Sequence, residues 1–350
     1  MRLEQLTFTR FLAAISIVIF HYGQNIFLFN NEYVSFIFEQ ANFGVSYFFI
    51  LSGFVMIIAY YNKKSVGFFQ FIKNRLARIY PLYLLAIIMV LVINRFRIED
   101  YQELLLNITM LQTWMPLKAL TVNPPGWSLS VELIFYIMFP FLFNKIYKSI
   151  ETKKLAISLI AFWLVSQVIF YLIISEIVMV PNLTVKTALY HPLLHLNEFL
   201  IGNLAGLWFM KNYKTYKGNY LKAIFVFIIA FLLLLKFNNG LIYHNGLLAL
   251  VFTPIIVLLS LSKSKFVNFL SNKQFVFLGE ISFGIYILQF PVWLFLSDFR
   301  MKNYLGLIKG EDDLILFLIR IVVLIVMSAI SFKYFETPIR TYIKTRFVKN

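Results

Sequence analysis

The chain has 350 residues, of which 60% are hydrophobic and 14% charged, with a formal net charge of +16 and a mean hydropathy of +0.78. A soluble domain would be nearer ~45–50% apolar and about 25% charged, so that class is excluded. The absence of cysteine excludes disulfides, thiolate metal sites and an acyl-cysteine intermediate. The positive charge gathers in loops beside apolar runs, where anionic lipid accounts for it and no nucleic-acid partner is needed.

The apolar runs predict an all-α polytopic membrane protein with about ten transmembrane helices, since a span needs roughly 20 residues. In chain order they cover 8–28, 43–61, 79–95, 127–147, 155–175, 191–210, 221–236, 246–262, 275–297 and 314–334. The first is followed by FHYGQNIFLF, which offers no small-x-small cleavage site, so it is read as a span and not as a removed signal peptide. The segment LLLNITMLQTWM (104–115) is too short to cross and is expected to lie at the interface or re-enter.

Lys and Arg mark cytoplasmic loops. With the N-terminus inside, the inner segments hold Lys63, Lys64, Lys73, Arg75 and Arg78, then Lys145 to Lys154, Lys211 to Lys222, Lys263 to Lys273, and finally Arg340, Lys344, Arg346 and Lys349. The outer loops carry Glu32 and Glu39, and later Asp298, Glu311, Asp312 and Asp313 against Arg300, Lys302 and Lys309. Both termini are therefore expected in the cytoplasm. With no repeat and no low-complexity linker, residues 1–350 read as a single transmembrane domain.

Ionisable residues inside spans are costly and mark function. Arg10 and His21 are separated by about three helical turns, so they project from one face some 16 Å apart. A guanidinium suits phosphate and a neutral imidazole suits proton abstraction, a pairing for a ligand with a phosphorylated head and a reactive tail. The alternatives are snorkelling of Arg10 and a hydrogen bond from His21 to a neighbouring helix. In NRLARIYPLY, Arg75 and Arg78 share one helical face and suit a polyphosphate, the alternative being ordinary positive-inside flanking. Glu132 in PPGWSLSVELIFY falls at the depth of His21 and is expected to orient it or stabilise its charge. Glu198, Gln289 and Arg320 fall at a similar depth, where Arg320 could simply neutralise Glu132 or Glu198.

Taken in order, Arg10 and His21, YFFILSGFVM (47–56), RLARIYPLY (75–83), WSLSVELIFYIMFPFLF (127–143), FLGEISFGIYILQFPV (277–292) and YFETPIRTYI (334–343) resemble the acyltransferase-3 family of integral membrane acyltransferases. The resemblance runs nearly the whole length. It implies a ten-helix core that O-acylates glycans and other acceptors with cytoplasmic acyl-coenzyme A. It matches His21 to the family's essential histidine and Arg10 to its partner, and Arg75 and Arg78 to the pair assigned to the coenzyme's phosphates. It places Ser52 and Gly53 in the LSGF turn, and Trp127, Ser128 and Glu132 in the fourth-helix motif. Where YLLHxPV is common, this chain has YILQFPV, so Gln289 stands in a histidine's place and cannot titrate. The chain ends shortly after Glu336, so no appended extra-cytoplasmic domain is expected.

The residues and the resemblance together lead to one expectation: a multi-pass O-acyltransferase of a bacterial cytoplasmic membrane. It would move acetyl, or another acyl group, from acetyl-CoA to a hydroxyl of a surface or lipid-linked glycan. His21 and Glu132 are the expected catalytic pair, and Arg10, Arg75 and Arg78 bind the coenzyme. Trp127, Ser128, Glu198, Gln289 and Arg320 contact the substrate, and no metal is required. His191 and His195, one turn apart in HPLLH, are the alternative metal pair, though headgroup or substrate contact is the simpler use. A transporter or flippase of lipid-linked glycans is the alternative function, against which stands the lack of repeated halves.

Overall fold

In hydrocarbon every backbone polar group must be satisfied within its own segment, which favours helices in long apolar runs. The computed structural model describes residues 3–97, 100–238 and 240–346, and all ten expected runs are helical in it. Lys349 lies outside the described residues, as do the side chains of Lys344 and Arg346. No β-strand occurs among the described residues. The helices of eight residues or more are α1 (Gln5–Tyr22), α2 (Phe43–Tyr60), α3 (Phe68–Ile93), α4 (Tyr101–Ile108), α5 (Trp127–Phe141), α6 (Thr152–Ile174) and α7 (Pro192–Asn212). They continue with α8 (Leu221–Lys236), α9 (Ala249–Leu261), α10 (Lys273–Glu280), α11 (Ser282–Phe295), α12 (Asp298–Leu305), α13 (Asp313–Ser331) and α14 (Thr337–Arg346).

Among the described residues six helical stretches are long and apolar enough to cross a membrane, and α10 with α11, bent by 48°, makes a seventh. The other three expected spans fall short for identifiable reasons. α8 has 16 residues and α9 has 13, while α7 dilutes its apolar character with His195, Asn197, Glu198 and Asn203, all buried inside the protein.

Two boundaries differ from expectation in ways that matter. α1 stops at Tyr22, where the Gly23 N–H closes the last turn on the Ile19 carbonyl; the polar triplet Gly23-Gln24-Asn25 ends the helix although apolar residues follow. α3 starts eleven residues before the expected 79 and runs straight through Pro81, so Arg75 and Arg78 lie within a helix and not at its start. The segment expected at the interface is α4 followed by a short turn, whose Gln112 and Thr113 are buried. They bond the Gly126 carbonyl (3.0 Å) and the Ser130 hydroxyl (2.6 Å), which pins the segment against the start of α5.

The centre of the bundle is α2 crossing α7. A Cβ on Gly53 would collide with the Phe199 carbonyl, and one on Gly202 with the Ile50 carbonyl, so only glycine permits this backbone approach. LSGF is thus part of a helix crossing and not a turn. The basic loops meet at one end of the bundle: Lys148 donates to the Lys63 carbonyl (2.8 Å), Lys211 to Thr152, and the Lys263 N–H to Gly218 (2.8 Å).

Candidate active site

One cavity of about 490 Å³ is walled by α1, α2, α3, α5, the α10–α11 pair and the C-terminal helices. Along α2 its lining runs from Ala59 to Val45, fourteen residues or about 21 Å of helix. Four arginines (Arg10, Arg75, Arg78, Arg340) and three glutamates (Glu132, Glu280, Glu336) line it, among mostly apolar neighbours.

The cations are positioned by their helices. Arg10 lies in electrostatic reach of Arg78 and Glu132. Arg78 is exposed, and the surface it shows lines the cavity. Arg75 rests against three rings, with its guanidinium carbon 5.1 Å from the Phe71 centroid, 5.7 Å from Tyr60 and 6.0 Å from Tyr136. Such a cage orients a planar cation and leaves its edge free for an anion. Both arginines are therefore cavity residues and not merely loop charges.

Farther along, Glu132 accepts a hydrogen bond from the Ser52 hydroxyl at 2.9 Å, and Ser128 and Tyr286 complete the wall. His21 is not part of the lining. α1 and α2 close together at Gly44, whose Cβ would approach the Ala13 carbonyl at 2.8 Å and Ile17 at 2.9 Å, and His21 lies one helical turn beyond. The cavity that holds Arg10 therefore stops short of His21, so a ligand in it does not reach both residues of the expected pairing.

The expected pairing of His21 with Glu132 is also replaced. Because α1 ends at Tyr22, His21 occupies its last turn and is exposed, while Glu132 faces the cavity. The partner of His21 is Gln289, with Nδ1 to Oε1 at 2.8 Å. Gln289 is fully buried and its Nε2 donates to the Tyr286 carbonyl at 2.6 Å, which fixes the amide so that its oxygen faces His21. His21 Nδ1 is then the donor, and Nε2 keeps its lone pair. An orienting acceptor on one ring nitrogen readies the other as a base. Tyr286 lines the cavity, and through its carbonyl and Gln289 it is linked to His21.

The remaining expected site residues lie elsewhere. Arg320 reaches neither Glu132 nor Glu198; it donates to Asp298 (2.6 Å) and the Leu296 carbonyl (2.9 Å). Its guanidinium stands 6.0 Å from the Trp293 ring, which stacks on Tyr22 at 4.3 Å, so it braces the end of α1. Trp127 turns away from the cavity and packs against Tyr190, His195 and His244 at 4.9, 5.3 and 5.1 Å. Glu198 is buried there as well, bonded to His195 Nδ1 at 2.8 Å. His195 Nε2 faces the Leu189 carbonyl at 2.9 Å, so both ring nitrogens are engaged and the His191–His195 metal pair does not form. Sequence reasoning passed over Arg340, Glu336, Glu280 and Tyr136 as lining residues; the charge-bearing YFETPIR motif was the one available signal for the first two.

Fold and cavity define a multi-pass helical membrane protein that encloses a chamber lined by four arginines and three glutamates. The chain belongs to the acyltransferase-3 family: a family model described as an acyltransferase domain matches residues 3–333. It is 25% identical to O-acetyltransferase OatA of Staphylococcus aureus over 95% of this chain and 56% of that protein. It is 31% identical to acyltransferase MdmB of Streptomyces mycarofaciens over 44% of this chain and 42% of that one. The chain thus spans little more than half the length of the OatA relative. No solved structure matches it. The chain therefore carries the family's acyltransferase domain, built as a multi-pass helical bundle.

Proposed function

We propose that this acyltransferase takes an acyl group, most simply acetyl, from coenzyme A on the cytoplasmic side of a bacterial cytoplasmic membrane and delivers it to a hydroxyl of a surface or lipid-linked glycan. The observation that carries the donor assignment is the row of arginines in a channel about 21 Å deep along α2. Clustered guanidinium groups in an apolar-walled space suit a polyphosphate, and the depth suits the extended arm that follows it. Arg75 and Lys63 of the first basic loop both stand over the Tyr60 ring, which supports entry from the side of the basic loops. The similarity to an O-acetyltransferase of Staphylococcus aureus supports acetyl as the group and oxygen as the acceptor.

In this reading Arg10, Arg75 and Arg78 hold the phosphates and the thioester arm points toward Ser52, Ser128 and Glu132. The acceptor approaches His21 from the opposite side. His21 Nε2 removes the hydroxyl proton as the oxygen attacks the thioester carbonyl, the C–O bond forms and the C–S bond breaks. The proton then passes to the departing coenzyme A thiolate, so the net products are an ester and free thiol. A relay through acyl-His21 uses the same nitrogen in two steps. Because the cavity ends short of His21, either form requires the Tyr286–Gln289 layer to part.

The test is acetyl transfer by the purified protein from labelled acetyl-CoA, with glycan mass spectrometry of cells with and without the gene product. Label transfer that is lost in His21→Ala, with a matching loss of one acetyl mass per modified sugar in cells, is expected. Full transfer by His21→Ala would overturn the assignment of the base.

A further inference from the structure

Resting on the coenzyme A reading, we infer that Arg340 reads the ribose 3′-phosphate of the donor, so that the enzyme tells coenzyme A from its 3′-dephospho form. Arg340 lies on α14, one turn past Glu336, the last residue of a π-helical turn (Phe332–Glu336). Turns of this kind often re-aim side chains at functional sites. It faces the same cavity as the other three arginines, although by sequence it counts as one more cytoplasmic cation.

The four cations are graded along the cavity. Arg10 and Arg78 both feel the charge of Glu132, at the level where the thioester arm would lie. Arg340 enters the surroundings of Arg78 and Glu336. It lies nine residues past the inner end of α13, whereas Glu132 is five residues past the outer start of α5. A coenzyme A thioester is graded in the same order: thioester at one end, diphosphate in the middle, adenosine with its 3′-phosphate at the other end. With the thioester toward Glu132, the diphosphate falls at Arg10, Arg75 and Arg78, and the terminal phosphate falls at Arg340. Glu336, set among Arg340, Arg78 and Arg10, balances these cations before the donor arrives. A planar guanidinium meets a terminal phosphate with two parallel hydrogen bonds, whose loss weakens binding by about tenfold or more.

The experiment is equilibrium binding of coenzyme A and 3′-dephospho-coenzyme A to the full chain in detergent, for wild type, Arg340→Ala and Arg75→Ala. Wild type is expected to prefer coenzyme A by about tenfold or more, and Arg340→Ala to bind both forms alike, at the wild-type level for the dephospho form. That retained level also shows that the variant is folded. Arg75→Ala is expected to weaken both forms together. Equal binding of the two forms by wild type, or equal weakening of both by Arg340→Ala, overturns the role of Arg340 while leaving the donor assignment standing. Binding of neither form by wild type overturns both.

Discussion

If His21 is the base, as proposed, Gln289 orients it as a carboxylate does in many catalytic sites, but without charge. Its amide is locked by the Tyr286 carbonyl, so it presents only an acceptor to Nδ1. Gln289→Leu should lower kcat by about 10–100-fold, the usual cost of losing an orienting partner, with little change in the KM for donor. Gln289→His, whose ring can also accept from Nδ1, should recover much of the rate. A Leu variant with unchanged kcat would remove the positioning role. The arginines should show the opposite pattern: Arg75→Ala with Arg78→Ala should raise the KM for acyl-coenzyme A far more than that for acceptor. An unchanged donor KM would return both to topology alone. Arg10, Arg75, Arg78 and His21 stood out in the sequence as ionisable groups in or beside apolar runs, and the structure brings the three arginines, though not His21, to one cavity. Gln289 was visible only as a polar residue, since its hydrogen-bonding direction depends on a neighbouring carbonyl. Arg340 was hidden because a cation is expected after the last span in any case.

Helix ends decide more of the site than helix count does. The apolar residues after Gly23 suggested a first span reaching 28, but the glycine and two amides break it at Tyr22 and bring His21 to an exposed last turn. That shift of six residues separates His21 from Glu132. Periodicity and hydropathy carry no information about such breaks, nor about α3 continuing through Pro81, whereas they located all ten helical runs. Helix contacts were likewise readable only where small residues announced them. The α2–α7 crossing depends on Gly53 and Gly202, and Gly53→Ala should destabilise the protein by about 1–3 kcal/mol through overpacking, seen as a lower Tm in detergent. A Tm equal to wild type would show that the crossing relaxes without cost.

Across the whole molecule, the proposed donor cavity stops short of His21, with Tyr286 and Gln289 of α11 forming a wall between them in this reading. Such an arrangement keeps a reactive thioester from acceptor-side water until the wall opens. α11 carries that wall between the 48° bend from α10 and Pro291, two places where a helix can flex. Tyr286→Ala should thin the wall and raise acceptor-independent hydrolysis of acetyl-CoA several-fold relative to transfer; an unaltered ratio would locate the barrier elsewhere. None of this wall was readable from the chain, because it arises from side chains of distant segments meeting in space. The most direct check is a cryo-EM structure of the protein with bound acetyl-CoA. It should place the diphosphate against Arg10, Arg75 and Arg78, with the sulfur beyond Ser52 toward His21. Coenzyme bound outside this cavity, or lying with its sulfur at the Arg340 end, would contradict the account.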